Sequence, residues 1–479
     1  MRKRNSLHAI AAVALLVTAG VARAQCVPAI RTISQAGAFP NLMAAPVATS
    51  GSIIGVAKSD TTTGAPAIFF STYDTTDLNP LTPDRQIADT SARVVALLWN
   101  GSEFGLFYQL PNYTLMLQRI DTTGNPIGSA VAIVNHPWGG EDEVDAIWSP
   151  SRNAYGVART VTNGPDRGVW LTIVSSTGSV IADSQLTLFF NNPAVPRAAA
   201  LPGGAFAVTW IRTSGPLFLS VVPASGFGSS IAVSDRTVTS AQVASDGNTI
   251  MVIFSSTTVV SMITGTELRS SQFDLSGNRL TPDAPFLTGS GTDIIPLHLM
   301  WNPALSEWAL TYNDAASGTS GFPGEIRLRR FRSLDVVASD TLLSPDPVRG
   351  RLNAPYPIVF LNGAYYATIQ RLLSRAEGSE SYLLKLCPFF VTGKSNVSFA
   401  APFAPVTFTA NGSGGTPPYQ FAWNFGDNGI TTGPVVQHLY SAPGTYTVTL
   451  TGTDAAGATS IITTQVVIGV GGKRHAVRH

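Results

Sequence analysis

Three arginines, Arg159, Arg212 and Arg371, stand near the ends of apolar, strand-like segments that are far apart in the chain. Brought to one face, their guanidinium forks would clamp a carboxylate through paired, charge-assisted hydrogen bonds. Trp138 and Tyr312 add flat surfaces on which a sugar ring can stack, and Glu141 and Asp314 add carboxylates able to accept or hold a proton. Glu143, Asp145 and Glu325 belong to the same polar connections. The acidic run from Glu141 to Asp145 lacks the alternating Asp/Asn and the glycine of a calcium loop, and reads as a solvated charge run. No Gly-x-Ser-x-Gly elbow, His-Glu-x-x-His pair or phosphate loop occurs. The sequence therefore names no catalytic residue, no metal site and no cofactor.

A repeat must position these groups. Seven times between Ala45 and Arg371 a short apolar strand is followed by a turn bearing Gly, Asn or Pro and then by an aromatic-rich strand: 45–59, 94–109, 144–160, 197–213, 240–256, 296–314 and 356–371. A period of about fifty residues belongs to a propeller, solenoid or array. Each copy continues into two further strands; in the second they read 94–99, 104–109, 114–120 and 129–134. Asp121 to Asn125 and Asp274 to Asn278 supply tight turns, with Gly and Asn expected at left-handed positions. Four antiparallel strands make a blade, so 25–388 is expected to form a seven-bladed β-propeller. Loops after each fourth strand and between second and third strands then open on one face, where the arginines, Tyr312, Asp314, Trp138 and Glu141 are placed. Trp99, Trp148, Trp210, Trp301 and Trp308 recur at strand positions and read as core. An arginine triad is also a sialidase feature, but the Asp boxes of those enzymes are missing; 245–249 echoes one and fits a hairpin turn.

The seventh copy stops at Cys387 without a fourth strand. The segment 27–33, which precedes the first copy and has no partner of its own, is expected to fill that place as an edge strand, with Pro28 tolerable there. The end of a third strand lies beside the start of a fourth, so Cys26 and Cys387, the only two cysteines, are expected to form a disulfide. Residues 1–24 have a basic start, an apolar run and a small-x-small end at Ala22 and Ala24, the pattern of a secretory signal peptide. Removing them takes four of thirty Lys and Arg and no acid, leaving 26 against 29. A slightly acidic mature chain has no basic stripe for nucleic acid. No later apolar stretch is long enough to span a membrane.

After Pro388 the period changes. Trp423, Phe425, Gly426 and Asp427 are followed by His438 and Tyr440, then by Pro443, Gly444 and Tyr446. This segment, 389–470, resembles a PKD (polycystic kidney disease-type) domain. The resemblance implies an immunoglobulin-like β-sandwich and an extracellular setting, with these residues structural. Asn428 stands where the family has Gly, and tolerates the left-handed conformation. Alternation in 406–410, 419–423 and 446–450 agrees with strands burying one face each. The final residues, 471–479, read as a flexible basic tail.

The repeat half resembles secreted bacterial propeller proteins whose blades carry Asp-x-x-Gly-Asn turns. Together these readings predict an all-β, secreted or surface-associated binding protein. Its propeller face would recognise an extracellular glycan or protein, with the PKD domain as spacer or accessory binder; the alternative is a propeller-type polysaccharide hydrolase or lyase.

Overall fold

A computed structural model of the chain describes residues 28–35, 45–60, 67–88, 92–135, 143–188, 193–212, 215–225, 228, 230–260, 263–288, 292–316, 325–332, 335–336, 340–343, 357–374, 378–455 and 457–469. The proposed leader, Cys26, Trp138, Glu141 and the basic tail lie outside them. Among the described residues the first part of the chain forms seven antiparallel sheets, the first six laid down in strand order. The second sheet runs Arg93–Trp99, Phe104–Gln109, Leu115–Ile120 and Val131–Val134, within two residues of the strands read from the sequence. The sixth carries an extra short strand, Thr341–Leu342, on its third.

Sheet seven is completed from the other end of the chain. Ala29–Gln35 pairs antiparallel with Gly378–Leu386, placing Ala29 opposite Lys385. The expected edge strand is therefore present, two residues later than predicted. Pro28 falls just before it, where its missing N–H costs the ladder nothing.

The core lies between the sheets. Seven hydrophobic clusters each join one sheet to the next, and the last joins Tyr366 and Leu383 of sheet seven to Val47, Ile54 and Val56 of sheet one. The first strands touch in chain order, and that of the seventh sheet touches that of the first. In sheets one, two and three a glycine near the start of the second strand lets neighbours close. A Cβ on Gly55 would meet Phe104 of sheet two at 2.8 Å, one on Gly105 would meet the Tyr155 hydroxyl at 2.4 Å, and one on Gly156 would meet Phe206 at 2.4 Å. Native packing leaves no such room, so the repeat glycine and the next copy's aromatic specify each other. The tryptophans behave as expected: Trp210 and Trp308 are buried, and Trp99, Trp148 and Trp301 pack edge-on against Phe104, Tyr155 and Trp308. The whole is propeller-like.

The tight turns work differently from expectation in one respect. Gly124 and Gly277 are left-handed, at φ 80° and 90°, but Asn125 and Asn278 are not. Each Asn instead gives its amide to the carboxylate four residues back, Asp121 (2.9 Å) or Asp274 (2.8 Å). The Asp is the organiser of the turn, as an acceptor for several amides at once.

The remaining elements form two facing sheets. One contains Phe390–Ser395, Pro405–Ser413 and Val435–Leu439; the other contains Phe399–Ala400, Thr459–Ile468, Gly444–Thr453, Gln420–Asn424 and Ile430–Thr432. Val406, Phe408, Ala410, Trp423, Val448 and Leu450 fill the space between. The two parts meet at Arg330 of sheet six, which donates to the Phe389 carbonyl (3.0 Å) and lies over the Phe390 ring.

Candidate functional site

The first strands of sheets two to six, with Pro46 and Pro357 just ahead of those of sheets one and seven, line a cavity of about 300 Å³. Val, Leu and Ala make up most of its wall, and the cross-strand register shows how the polar exceptions are arranged. Trp99, Trp148 and Trp301 sit opposite Phe104, Tyr155 and Trp308, while Ala200 opposite Phe206 and Ser245 opposite Ile250 hold the same place in sheets four and five. Three residues before each of these come Ala96, Asp145, His298, Arg197 and Gln242, all of them lining the cavity. Pro46 and Pro357 take the equivalent places ahead of Thr49 and Phe360. The polar members thus fall on four consecutive sheets, three to six, and form an arc. The register breaks immediately before Ala96, Arg197 and His298, the local bulge that re-aims a strand.

Two of the four reach to the next strand around the cavity. Asp145 accepts a bond from the Ala198 amide (2.8 Å), and His298 Nδ1 accepts one from the Ile358 amide (3.5 Å). Burial raises the Asp145 carboxyl above its ordinary range against the opposing Arg197 charge and the Ala198 and Ala146 amides. Burial, together with the Arg197 charge, pushes His298 down to about 4, so its imidazole is neutral at pH 7. With Nδ1 accepting, the ring proton sits on Nε2.

Arg197 is the unusual member. It is only 6% exposed; one terminal nitrogen donates to the Pro196 carbonyl (2.9 Å) and its Nε has no partner. Other buried arginines hold a carboxylate directly: Arg159 has Asp183 (2.7 Å), Arg269 has Glu267 (2.6 Å) and Asp283, and Arg330 has Glu307 (2.6 Å).

The residues singled out from the sequence differ in their surroundings. Arg212 ends its strand exposed, and Asp314 is half-buried near the end of the second strand of sheet six. Arg371 lies opposite Glu380 in sheet seven; its side chain, like Trp138 and Glu141, lies outside the described residues. Arg159 and Tyr312 depart from expectation, because the strands carrying them are covered by neighbouring sheets. Arg159 is 1% exposed, bonded to Thr172 and Asp183, and lies over Trp170. Tyr312 is 2% exposed and donates to Asp340 (2.6 Å), which Arg329 also holds. Neither offers a free face to a ligand. Among the described residues, no group of three or more His, Cys, Asp or Glu is placed to hold a metal.

In the C-terminal sandwich the motif residues bond one another. Asp427 accepts the Gly429 amide (3.0 Å) and bonds His438 Nε2 (2.8 Å) across the turn, where Gly426 and Asn428 are left-handed at φ 81° and 71°. Desolvation opposes the charge on Asp427, yet His438 and the Gly429 amide outweigh it and hold the carboxyl below its ordinary range. His438 stacks on Phe425 at 4.0 Å and meets Tyr440 edge-on; Tyr440 packs on Tyr446 and donates to the Phe425 carbonyl. Trp423 donates to the Gly433 carbonyl (3.0 Å). Residues 395–469 match the PKD domain family.

No curated protein matches the chain. Among solved structures it is similar to the SapL1 lectin in complex with alpha methyl fucoside, at 13% identity over 64% of this chain and 98% of that one, with a TM-score of 0.40. The polysaccharide lyase Uly1 has 8% identity over 74% and 92%, with a TM-score of 0.44. A fungal lectin from Aleuria aurantia, a six-bladed β-propeller, has 12% identity over 63% and 95%, with a TM-score of 0.40. Likenesses at this level say nothing about a ligand. Within the PKD domain the polar motif atoms are occupied with one another. Reading the sequence did not assemble the polar arc of the cavity. The tryptophans of copies three and six put Asp145 and His298 at one level, but copies four and five have Ala200 and Ser245 in that place, so no tryptophan marks Arg197 or Gln242.

Proposed function

We propose that this chain is an exported binding protein whose propeller-like half recognises a glycan or a protein, with the PKD domain spacing or reinforcing the contact. The observation that carries the reading is the polar arc in an otherwise apolar cavity: a donor-rich set fixed on rigid strands, the usual make-up of a binding site. A second reading, a polysaccharide hydrolase or lyase, draws on Asp145, whose carboxyl is raised by burial on the same arc as a neutral His298. A glycan array run beside a polysaccharide-degradation screen on the mature chain separates the two. Under the binding reading, Arg212→Ala and Arg371→Ala each weaken capture by about 1.5–3 kcal/mol if the ligand is an anionic glycan, while Arg159→Ala acts through stability instead. Turnover by wild type that disappears in Asp145→Asn or Asp314→Asn would decide for the enzyme.

The same proposal takes the seven sheets as the blades of one closed propeller, clasped by a Cys26–Cys387 disulfide. Cys387 is buried at the end of the strand that pairs with Ala29–Gln35, and continuing that register by two residues sets 27 opposite 387. In the chain-entropy model a loop of this length contributes about 6 kcal/mol, and disulfides deliver up to about 5 kcal/mol in practice. Mass mapping of a non-reduced digest of exported protein is expected to yield the Cys26–Cys387 peptide pair. Two free thiols would remove the clasp.

A further inference from the structure

A guanidinium that is 94% buried by its neighbours is costly unless an anion meets it. Arg197 has no carboxylate in contact among the described residues: its terminal nitrogen donates to the Pro196 carbonyl, its Nε is unpartnered, and Asp145 acts on it through the field while giving an oxygen to the Ala198 amide. On the sheet that follows, Gln242 adds an amide, and on the next His298 adds the Nε2–H left by its bond to Ile358. Three donor groups therefore lie side by side on sheets four to six.

We propose that this arc binds a compact organic carboxylate, held by Arg197 with Gln242 and His298 beside it. The inference rests on reading the propeller-like half as a binding module, and it names the charge its ligand carries. An ionised carboxylate is acceptor-only and takes several donors at once, which matches a guanidinium, an amide and an imidazole N–H. Asp145 on the neighbouring sheet disfavours a multiply charged anion such as phosphate more than it disfavours a single carboxylate. A cavity of about 300 Å³ is at the small end of ligand sites and suits one sugar acid or a smaller acid. The carboxylate could come free in solution or on an acidic glycan.

Calorimetric titration of the full chain distinguishes these. The probes are acetate and glucuronate, their neutral counterparts acetamide and glucose, and an oligomer of galacturonate. Both small carboxylates are expected to bind and both neutral compounds to fail. Arg197→Gln should weaken the carboxylates at least tenfold, about the value of a charge-assisted bond, with an unchanged circular dichroism spectrum. Gln242→Ala should weaken them by a smaller factor, and reads the same site should Arg197→Gln not fold. Binding of the free acids without the oligomer assigns a small-acid ligand; oligomer binding that Arg197→Gln abolishes assigns an acidic glycan. Carboxylates that leave wild type untouched, or that bind both variants undiminished, overturn the proposal. Capture of a neutral glycan or a protein, indifferent to Arg197→Gln, would sink the carboxylate and leave the binding module standing.

Discussion

Trp423→Ala is expected to destabilise the PKD domain by about 3–5 kcal/mol, the range for removing a large buried aromatic. The indole is 2% exposed, packs 5.4 Å from Phe408, stacks with Phe425 and spends its N–H on Gly433. Its loss leaves a cavity between the two sheets and an orphaned carbonyl in the turn that links them. Urea unfolding of the fragment 389–470 measures this, and the same titration tests whether the fragment folds alone. A domain of this size has little stability in reserve, so the variant should be largely unfolded at 37 °C. A harmless substitution would mean that the sandwich does not depend on its central aromatic.

Glu307→Ala is expected to cost a similar amount, about 3–5 kcal/mol, for a different reason: it strands a buried charge. Glu307 is fully buried, and its two oxygens hold Arg330 at 2.6 and 3.0 Å while Tyr365 of sheet seven donates to it at 3.2 Å. Arg330 in turn holds the Phe389 carbonyl and the Phe390 ring at the start of the sandwich. The substitution should therefore loosen sheet six from sheet seven and from the PKD domain together. Limited proteolysis is expected to cut near 389 faster in the variant than in wild type. The double variant Glu307→Leu, Arg330→Met should recover much of the loss, since replacing both partners leaves no unpaired charge. A double variant as unstable as the single one would show that hydrogen bonds to Tyr365, and not the charge, carry the effect.

What the sequence reveals follows from what repeats. Each copy's apolar strand, turn and aromatic-rich strand answer to one packing demand, so the seven strand pairs could be found within a few residues and the missing seventh edge could be supplied from 27–33. The PKD turn was legible down to Asn428 for the same reason, because one backbone geometry dictates the residue types. The site was not. Arg159 and Tyr312 look like surface groups beside polar connections, but their partners, Asp183 and Asp340, lie 24 and 28 residues away on the outer part of the same sheet. Asp145, Arg197, Gln242 and His298 share a register position and nothing else. Different chemistry at one level of a repeat is invisible to any pattern that searches for sameness.

Closing sheet seven with Ala29–Gln35 also sets an order of assembly. Ala29 must wait for Lys385, 356 residues later, whereas the strands of sheets one to six find partners within their own copy. Joining ends that far apart costs only about 1.7 kcal/mol more than joining ends fifty residues apart, because loop entropy grows with the logarithm of length. The consequence is kinetic. As the chain emerges from the ribosome or from an export channel, six sheets can form one after another while Val47, Ile54 and Val56 of the first still face water. That apolar face, with 29–35 still an unpaired strand, is where a half-made molecule would stick to another. A nascent chain halted before Leu386 should be captured by holdase chaperones, and one released just beyond it should not.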